Sequence, residues 1–436
     1  MDKKITKKRY YRISFALASP LAIGSGENTF SDKDIVRDGN GSPYVPGSSL
    51  AGVYRALFDQ AVADKYFGYI QMGNGATNQS SKIITYDAVM CDKEYYVANR
   101  DCVKLDEWKV AMKGSKFDFE VLEPGVKFVT YIEQNLCDGD ELVSDVIAKA
   151  WRDEEICLGA KTMRGLGSIN KVSINSMDFD FENPASLQAW LDFDMYDAAS
   201  WDKSEKWQED ASIIEKYADN NQSLDIVLDL VQEGPLVIRV YTTEISNSKD
   251  ESLPDYKQIC YMARENGKEI PFIPGTSWAG VFRHRISESD KVQVGAYFGE
   301  HGDNKTKSRI SFSESVIRGS KAKDISRNAI DRFTGGTVDT ALFKEKVVYG
   351  GETKLNITVK GSCDEEFKKS LASAIVDLHM GFMTVGGETA VGYGLFSIKK
   401  AVCNEKDIKI WAKDEIYSNP TQATTMYNNI LEALNS

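Results

Sequence analysis

Histidine is scarce in this chain, with only His284, His301 and His379 among 436 residues. None has a cysteine or a second histidine at ligand spacing, which argues against histidine acid–base chemistry and a histidine zinc site. The seven cysteines, at 91, 102, 137, 157, 260, 363 and 403, are odd in number, scattered, and form no Cys-x-x-Cys. They support neither a disulfide framework nor a structural zinc site. Long apolar runs are missing too. The longest near the N-terminus, Phe15 to Ile23, is broken by Ser19 and Pro20 and falls far short of the roughly 20 residues a membrane span needs. The cations before it (Lys3, Lys4, Lys7, Lys8, Arg9, Arg12) imitate a signal peptide, but that segment is too short to follow them. A cytoplasmic protein with no membrane partner is expected.

Positive charge is also in deficit. The chain has 53 basic and 65 acidic side chains, a net of −12. Phosphate-binding surfaces are basic, so this total alone speaks against nucleic acid. Its distribution reverses that reading. Asp178 to Asp219 holds twelve acidic residues against three lysines and accounts for −9 of the total. Asn304–Arg332, by contrast, carries a local excess of +5. The acidic stretch also contains Trp190, Trp201 and Trp207, so a partly helical insertion or docking surface is expected there.

What the chain does have is a duplication. Tyr44–Leu57 (YVPGSSLAGVYRAL) and Phe272–Arg285 (FIPGTSWAGVFRHR) share seven of fourteen positions at an offset of 228. Tyr66-Phe67-Gly68 recurs as Tyr297-Phe298-Gly299, and Ser81-Lys82-Ile83 as Ser308-Arg309-Ile310. Leu158–Ile169 (LGAKTMRGLGSI) recurs as Val385–Phe396 (VGGETAVGYGLF) at an offset of 227. Collinear matches at a nearly constant offset mean one domain present twice. The boundaries predicted are 1–178 for the first copy, 179–222 for the acidic linker, 223–405 for the second copy and 406–436 for a helical tail.

Each copy runs from an alternating strand (Tyr11–Ala18; Leu224–Leu230) through a polar loop to a Pro-Gly turn and a helix. Strands, a second helix, a glycine loop and a last strand follow. This is a ferredoxin-like (RRM-like) α+β order. Ser48 and Thr276 are expected to cap the turn helix. With Gly47, Ser49, Gly275 and Ser277 they form a small-residue N-terminus suited to phosphate. Arg55 and Arg283, two turns along, suit the same anion. The loops Lys161–Gly167 (with Arg164 and Gly165) and Gly392–Gly394 permit close main-chain approach. Ile330–Phe343 (IDRFTGGTVDTALF) reads as a protruding hairpin whose Arg327, Arg332 and Phe333 suit a nucleic-acid strand. Glu27, Asp32 and Asp34 crowd the loop Gly24–Asp38, where carboxylates can orient a nucleophile or a divalent ion.

These motifs in this order resemble the RAMP superfamily of CRISPR-associated proteins. The closer likeness is to the backbone (guide-RNA spine) subunits of type III effector complexes, here fused in tandem. The resemblance implies two palms, each with a thumb hairpin, that bind guide RNA, target single-stranded RNA and other effector subunits. It also implies target cleavage beside a kink, with an aspartate promoting 2′-OH attack and Mg2+ or Mn2+ as cofactor. The family's catalytic position falls on Asp32, with Glu27 and Asp34 as neighbours and Asp32 as the metal-facing carboxylate. Measured from Arg264-Glu265, the second copy has Ile259 there, with Asp250 or Asp255 as displaced replacements. The alternative is a guide-RNA subunit of the same complex that does not cut. A guide-processing nuclease is disfavoured by the lack of a histidine pair, and a scaffold without RNA is the reading that acidity alone suggests.

Overall fold

The structure is a computed structural model that describes residues 4–26, 31–70, 78–103, 106, 111–217, 223–241, 254–300 and 305–435. The chain is mixed α+β and divides into two compact units. The first gathers Met1–Cys102, Lys116–Thr162 and Leu166–Asn220, and the second Val103–Ser115, Met163–Gly165 and Asn221–Ser436.

The first unit is built on the strand Ile5–Leu17, whose side chains alternate between two faces. It is central in an antiparallel sheet, flanked by Lys127–Cys137 and Ile169–Asp180, with Ile83–Thr85 and Glu205–Lys206 outermost. Tyr11, Ile13, Phe15 and Leu17 enter one core with Leu50 and Tyr54 of the helix Gly47–Arg55 and Trp151 of the helix Ser144–Arg152. Trp151 Nε1 donates to the Tyr54 hydroxyl at 3.0 Å, so both buried polar atoms are satisfied.

The other face, which carries Tyr10, Tyr131 and Phe179, is covered by the acidic segment. That segment forms the helix Pro184–Leu191, the strand Glu205–Lys206 and the helix Ala211–Tyr217. Trp201 packs into this face, whereas Trp207 packs on the helix side of the sheet, where its Nε1 donates to the buried Asp145 at 2.8 Å. Far from being a tether, the segment is the sheet's second cover, because tryptophans gain most from burial against apolar strand positions.

In the second unit the strands Ile310–Phe312, Glu352–Lys360, Ser223–Gln232, Phe396–Cys403 and Lys406–Ile408 form the corresponding antiparallel sheet in that order. The helices Gly275–Ser287 and Glu365–Met380 pack on it through Trp278, Phe282, Phe367 and Leu371. The tail begins as a sheet strand, and its helix Thr421–Asn435 inserts Met426 and Ile430 into the same core. A long hairpin, Lys321–Ile330 against Thr337–Tyr349, makes a separate sheet with Tyr256–Gln258 and Arg239–Tyr241. No helix among the described residues is long and apolar enough to cross a membrane.

Two details differ from the sequence expectation. Pro46 and Pro274, not Ser48 and Thr276, are the helix N-caps, and no side chain caps either helix. Ser48 and Thr276 lie one residue inside the helix start and face solvent. The glycines that end each loop answer a backbone demand. Gly167 has φ +77°, and a Cβ there would stand 1.8 Å from Leu158 O. Gly394 repeats this at φ +72° and 1.9 Å from Val385 O. Each closes its turn as an acceptor, from Leu158 N at 2.8 Å and from Val385 N at 3.1 Å.

Candidate nucleic-acid interface

The acidic loop of the first unit is fastened to a short hairpin, Val97–Cys102 with Phe117–Leu122. The strand Phe117-Asp118-Phe119-Glu120 alternates rings and carboxylates, so the two kinds of side chain leave on opposite faces. The carboxylates hold the loop. Asp32 N donates to Asp118 Oδ1 at 2.9 Å, and Asp118 N returns a bond to Asp32 Oδ2 at 3.0 Å. Glu120 receives Arg37 Nη1 at 2.9 Å and Nη2 at 3.0 Å. Asn99 Nδ2 donates to Asp118 Oδ2 at 2.6 Å. The Asp32 amide, helped by Asn99, holds the Asp118 carboxyl below its ordinary range.

Asp32 itself is exposed, beside the end of the hairpin where Cys102 pairs with Phe117. Asp34 is buried, and its Oδ1 accepts from Ser31 N at 2.8 Å and Ser31 Oγ at 2.9 Å. It closes the loop from within. Glu27 and Asp250 lie outside the described residues. Asp118 and Asn99 were missed from sequence because they lie far along the chain from the loop. The ring–acid alternation of 117–120 was the only signal available.

The second copy repeats the clasp at another position. Asp255 N donates to Lys344 O at 2.8 Å, and Lys344 N donates to Asp255 Oδ2 at 2.7 Å. Asp255 thus makes a contact like that of Asp32, while the Ile259 amide is committed to Ile238 O at 2.9 Å between two strands. The spacing from Arg264 misleads because Arg264 sits exposed on the separate hairpin Cys260–Glu265 and Lys268–Ile273. Arg37, in contrast, is tied to the Phe117–Leu122 strand by Glu120.

The two helix arginines part company. Arg55 is spent inside the fold, donating to Gly68 O at 2.8 Å and pairing with Asp64. Arg283 is exposed and has no hydrogen bond or ion pair among the described residues. Near it in the second unit lies Arg164, whose Nη1 is buried without a partner among those residues. Burial, and then the charge of Arg283, lower the affinity of the Arg164 guanidinium for its proton. Two adjacent cations, one with an orphaned donor, suit an anion such as a phosphate oxygen. Gly275 is close-packed here, since a Cβ would meet Phe312 O at 2.4 Å. In the first copy the matching helix start is already used, with Gly47 N donating to Asp87 Oδ1 at 2.6 Å. Ser49 and Ser277 are half-buried in the first turn of their helices.

Lys161 stands 4.6 and 4.5 Å from the Phe117 and Phe119 ring centres, on the face of the hairpin away from Asp32. Arg327 pairs with the buried Glu345 at 3.0 Å and with Glu388 at 3.3 Å, so it ties the long hairpin to the second glycine loop. At the hairpin tip Asp331 Oδ1 accepts from Phe333 N and Thr334 N, both at 2.8 Å. This local turn presents Phe333 with its ring 100% exposed, beside an exposed Arg332. Gly165 and Gly392 have φ +82° and +87°, and nothing lies within 4 Å of a Cβ on Gly392.

The RAMP superfamily sequence model matches residues 15–170 and 257–397, well over half of the chain and once in each copy. The chain belongs to the RAMP superfamily. RAMP proteins are generally CRISPR-associated and bind RNA. The two matched stretches coincide with the duplication, so the chain carries two ferredoxin-like RAMP domains. No curated protein matches it.

Among the described residues no three His, Cys, Asp or Glu side chains gather as a metal site. Asp32 and Asp118 of the first RAMP copy do offer hard oxygen donors within one clasp. That suits Mg2+ or Mn2+, which bind through one or two carboxylates and take their remaining ligands from water and phosphate.

Proposed function

We propose that the chain is a backbone subunit of a type III CRISPR ribonucleoprotein, a tandem fusion that binds guide RNA and cuts paired target RNA at the first copy. The observation that carries this reading is the exposed Asp32 carboxylate, held against a hairpin by the main chain of Asp118. In such a site the 2′-oxygen of one nucleotide attacks the adjacent phosphorus and the bond to the 5′-oxygen breaks. The products are a 2′,3′-cyclic phosphate and a 5′-hydroxyl, whose departing oxygen takes its proton from water. Asp32 accepts the 2′-hydroxyl proton, and Asp118 and Asn99 hold Asp32's loop still. A divalent ion, when bound, neutralises charge building on the phosphate. Splaying the strand for in-line geometry is the task of a thumb, and an exposed Phe333 beside Arg332 is suited to stack on an unpaired base.

A second reading, a guide-RNA subunit that does not cut, is favoured by the repeat of the clasp at Asp255 and Lys344. It makes the aspartate a fastener of loop to hairpin in both copies. RNA recovered with the purified complex tests the shared part. A population with a common repeat-derived end is expected, and protein free of RNA would contradict both readings.

A further inference from the structure

The face of the first sheet away from its helices has no part in the RNA reading. The acidic segment that covers it leaves a cleft of about 410 Å³. Its walls are the rings of Tyr10, Tyr86, Trp190, Phe193 and Tyr196, with Glu133 among them. The rings are set by their neighbours. Trp190 Nε1 donates to the Tyr10 hydroxyl at 3.1 Å, Tyr10 and Phe193 lie 5.2 Å apart, and Tyr86 meets Tyr196 edge-on at 6.3 Å.

One cation is already accommodated there. Lys8 Nζ stands 5.2 Å from the Trp190 ring and bonds Glu133 Oε1 at 2.5 Å, while the Tyr86 hydroxyl donates to Oε2 at 3.0 Å. Lys8 neutralises Glu133, which is 4% exposed. It does not neutralise Asp194, the exposed carboxylate at the rim. Leu191 and Tyr196 on the wall are each 63% exposed.

Aromatic faces beneath an acidic rim attract cations and repel phosphate. Among cations the planar, weakly hydrated guanidinium stacks best on such rings. Exposed aromatic and aliphatic side chains around a pocket are the usual anchors of protein interfaces. We propose that this cleft receives an arginine side chain from a basic surface of a protein partner, stacked on Tyr196 and paired with Asp194. The proposal stands apart from the RNA reading and holds whether or not Asp32 cuts.

The test uses the full chain with 15N-labelled tryptophan. The Trp190 indole resonance is assigned by Trp190→Phe and followed as acetyl-Gly-Arg-Arg-Gly-amide is added. A shift saturating on the order of 1 mM is expected. The citrulline analogue of the peptide, neutral but isosteric, is expected to leave the resonance in place. Tyr196→Ala and Asp194→Asn are each expected to weaken the arginine peptide about ten-fold or more. Asp194→Asn keeps the oxygen that accepts from Tyr196 N at 2.9 Å, so it reads charge without disturbing the turn. Equal shifts with citrulline, full binding in the Asp194→Asn protein, or no shift at all would overturn the proposal. So would a tighter response to an oligouridylate, which would make RNA the occupant.

Discussion

Gly392 and Gly394 sit two residues apart in one loop, both in left-handed backbone, yet their surroundings differ. A methyl on Gly392 meets nothing within 4 Å, whereas one on Gly394 lies 1.9 Å from Val385 O. Gly392→Ala therefore costs only the left-handed conformation, about 1–2 kcal/mol. Gly394→Ala adds the displacement of Val385 O and the loss of the Val385 N to Gly394 O bond. Unmade buried backbone bonds cost about 1–3 kcal/mol, so the two variants should differ by roughly 2–3 kcal/mol. In a unit of this size that separates their melting temperatures by about 4–12 °C. Differential scanning calorimetry of the two proteins reads it directly. If the openness of Gly392 serves close approach of RNA, fluorescence-anisotropy binding of single-stranded RNA should weaken in Gly392→Ala despite its milder destabilisation. Equal destabilisation by the two substitutions, or unchanged RNA affinity in Gly392→Ala, would refute the reasoning.

The arginines offer a second contrast. Arg55→Ala strips Gly68 O of its donor and is expected to lower stability by about 1–3 kcal/mol, whereas Arg283→Ala should stay within about 0.5 kcal/mol. Arg283→Ala should instead weaken RNA binding and flatten its salt dependence by about one phosphate, read by titration at several ionic strengths. Phe333→Ala, at a fully exposed ring, should leave the melting temperature unchanged and cost about 1–3 kcal/mol of target-strand binding. Acidification tests the loop clasp. Asp118 has a folded pKa below its unfolded value, so its contribution is full above the ordinary carboxylate range and fades as pH falls through the lowered folded value. The protection of the Asp32 and Asp118 amides from hydrogen exchange, taken against the intrinsic rate at the same pH, should fall in that acidic window, and unchanged protection would contradict the clasp.

The duplication and the alternation of the first strand were legible because repeats and period-2 burial are local patterns. The role of the acidic segment was not. Whether Trp201 meets solvent or a sheet depends on the far face of Ile5–Leu17, and the place of Trp207 depends on Asp145 of a distant helix, neither of which the sequence of the segment encodes. The same limit bears on Ile259. A spacing counted from Arg264 presumes that both loops anchor at the same residue, but the first anchors through Arg37 and Glu120 while Arg264 lies on a hairpin of its own. Arg55 and Arg283 occupy matching positions of the repeated motif. Only the contact of Arg55 with Asp64 and Gly68 tells the two arginines apart.

The central claim is that Asp32 acts as a charged base, not only as a fastener. Asp32→Asn keeps a carbonyl oxygen for the Asp118 amide and removes the charge. In the reconstituted complex with guide and target RNA, cleavage opposite the first copy is expected to fall by about 10²–10⁴-fold with target binding intact. Undiminished cleavage at that position would contradict the account.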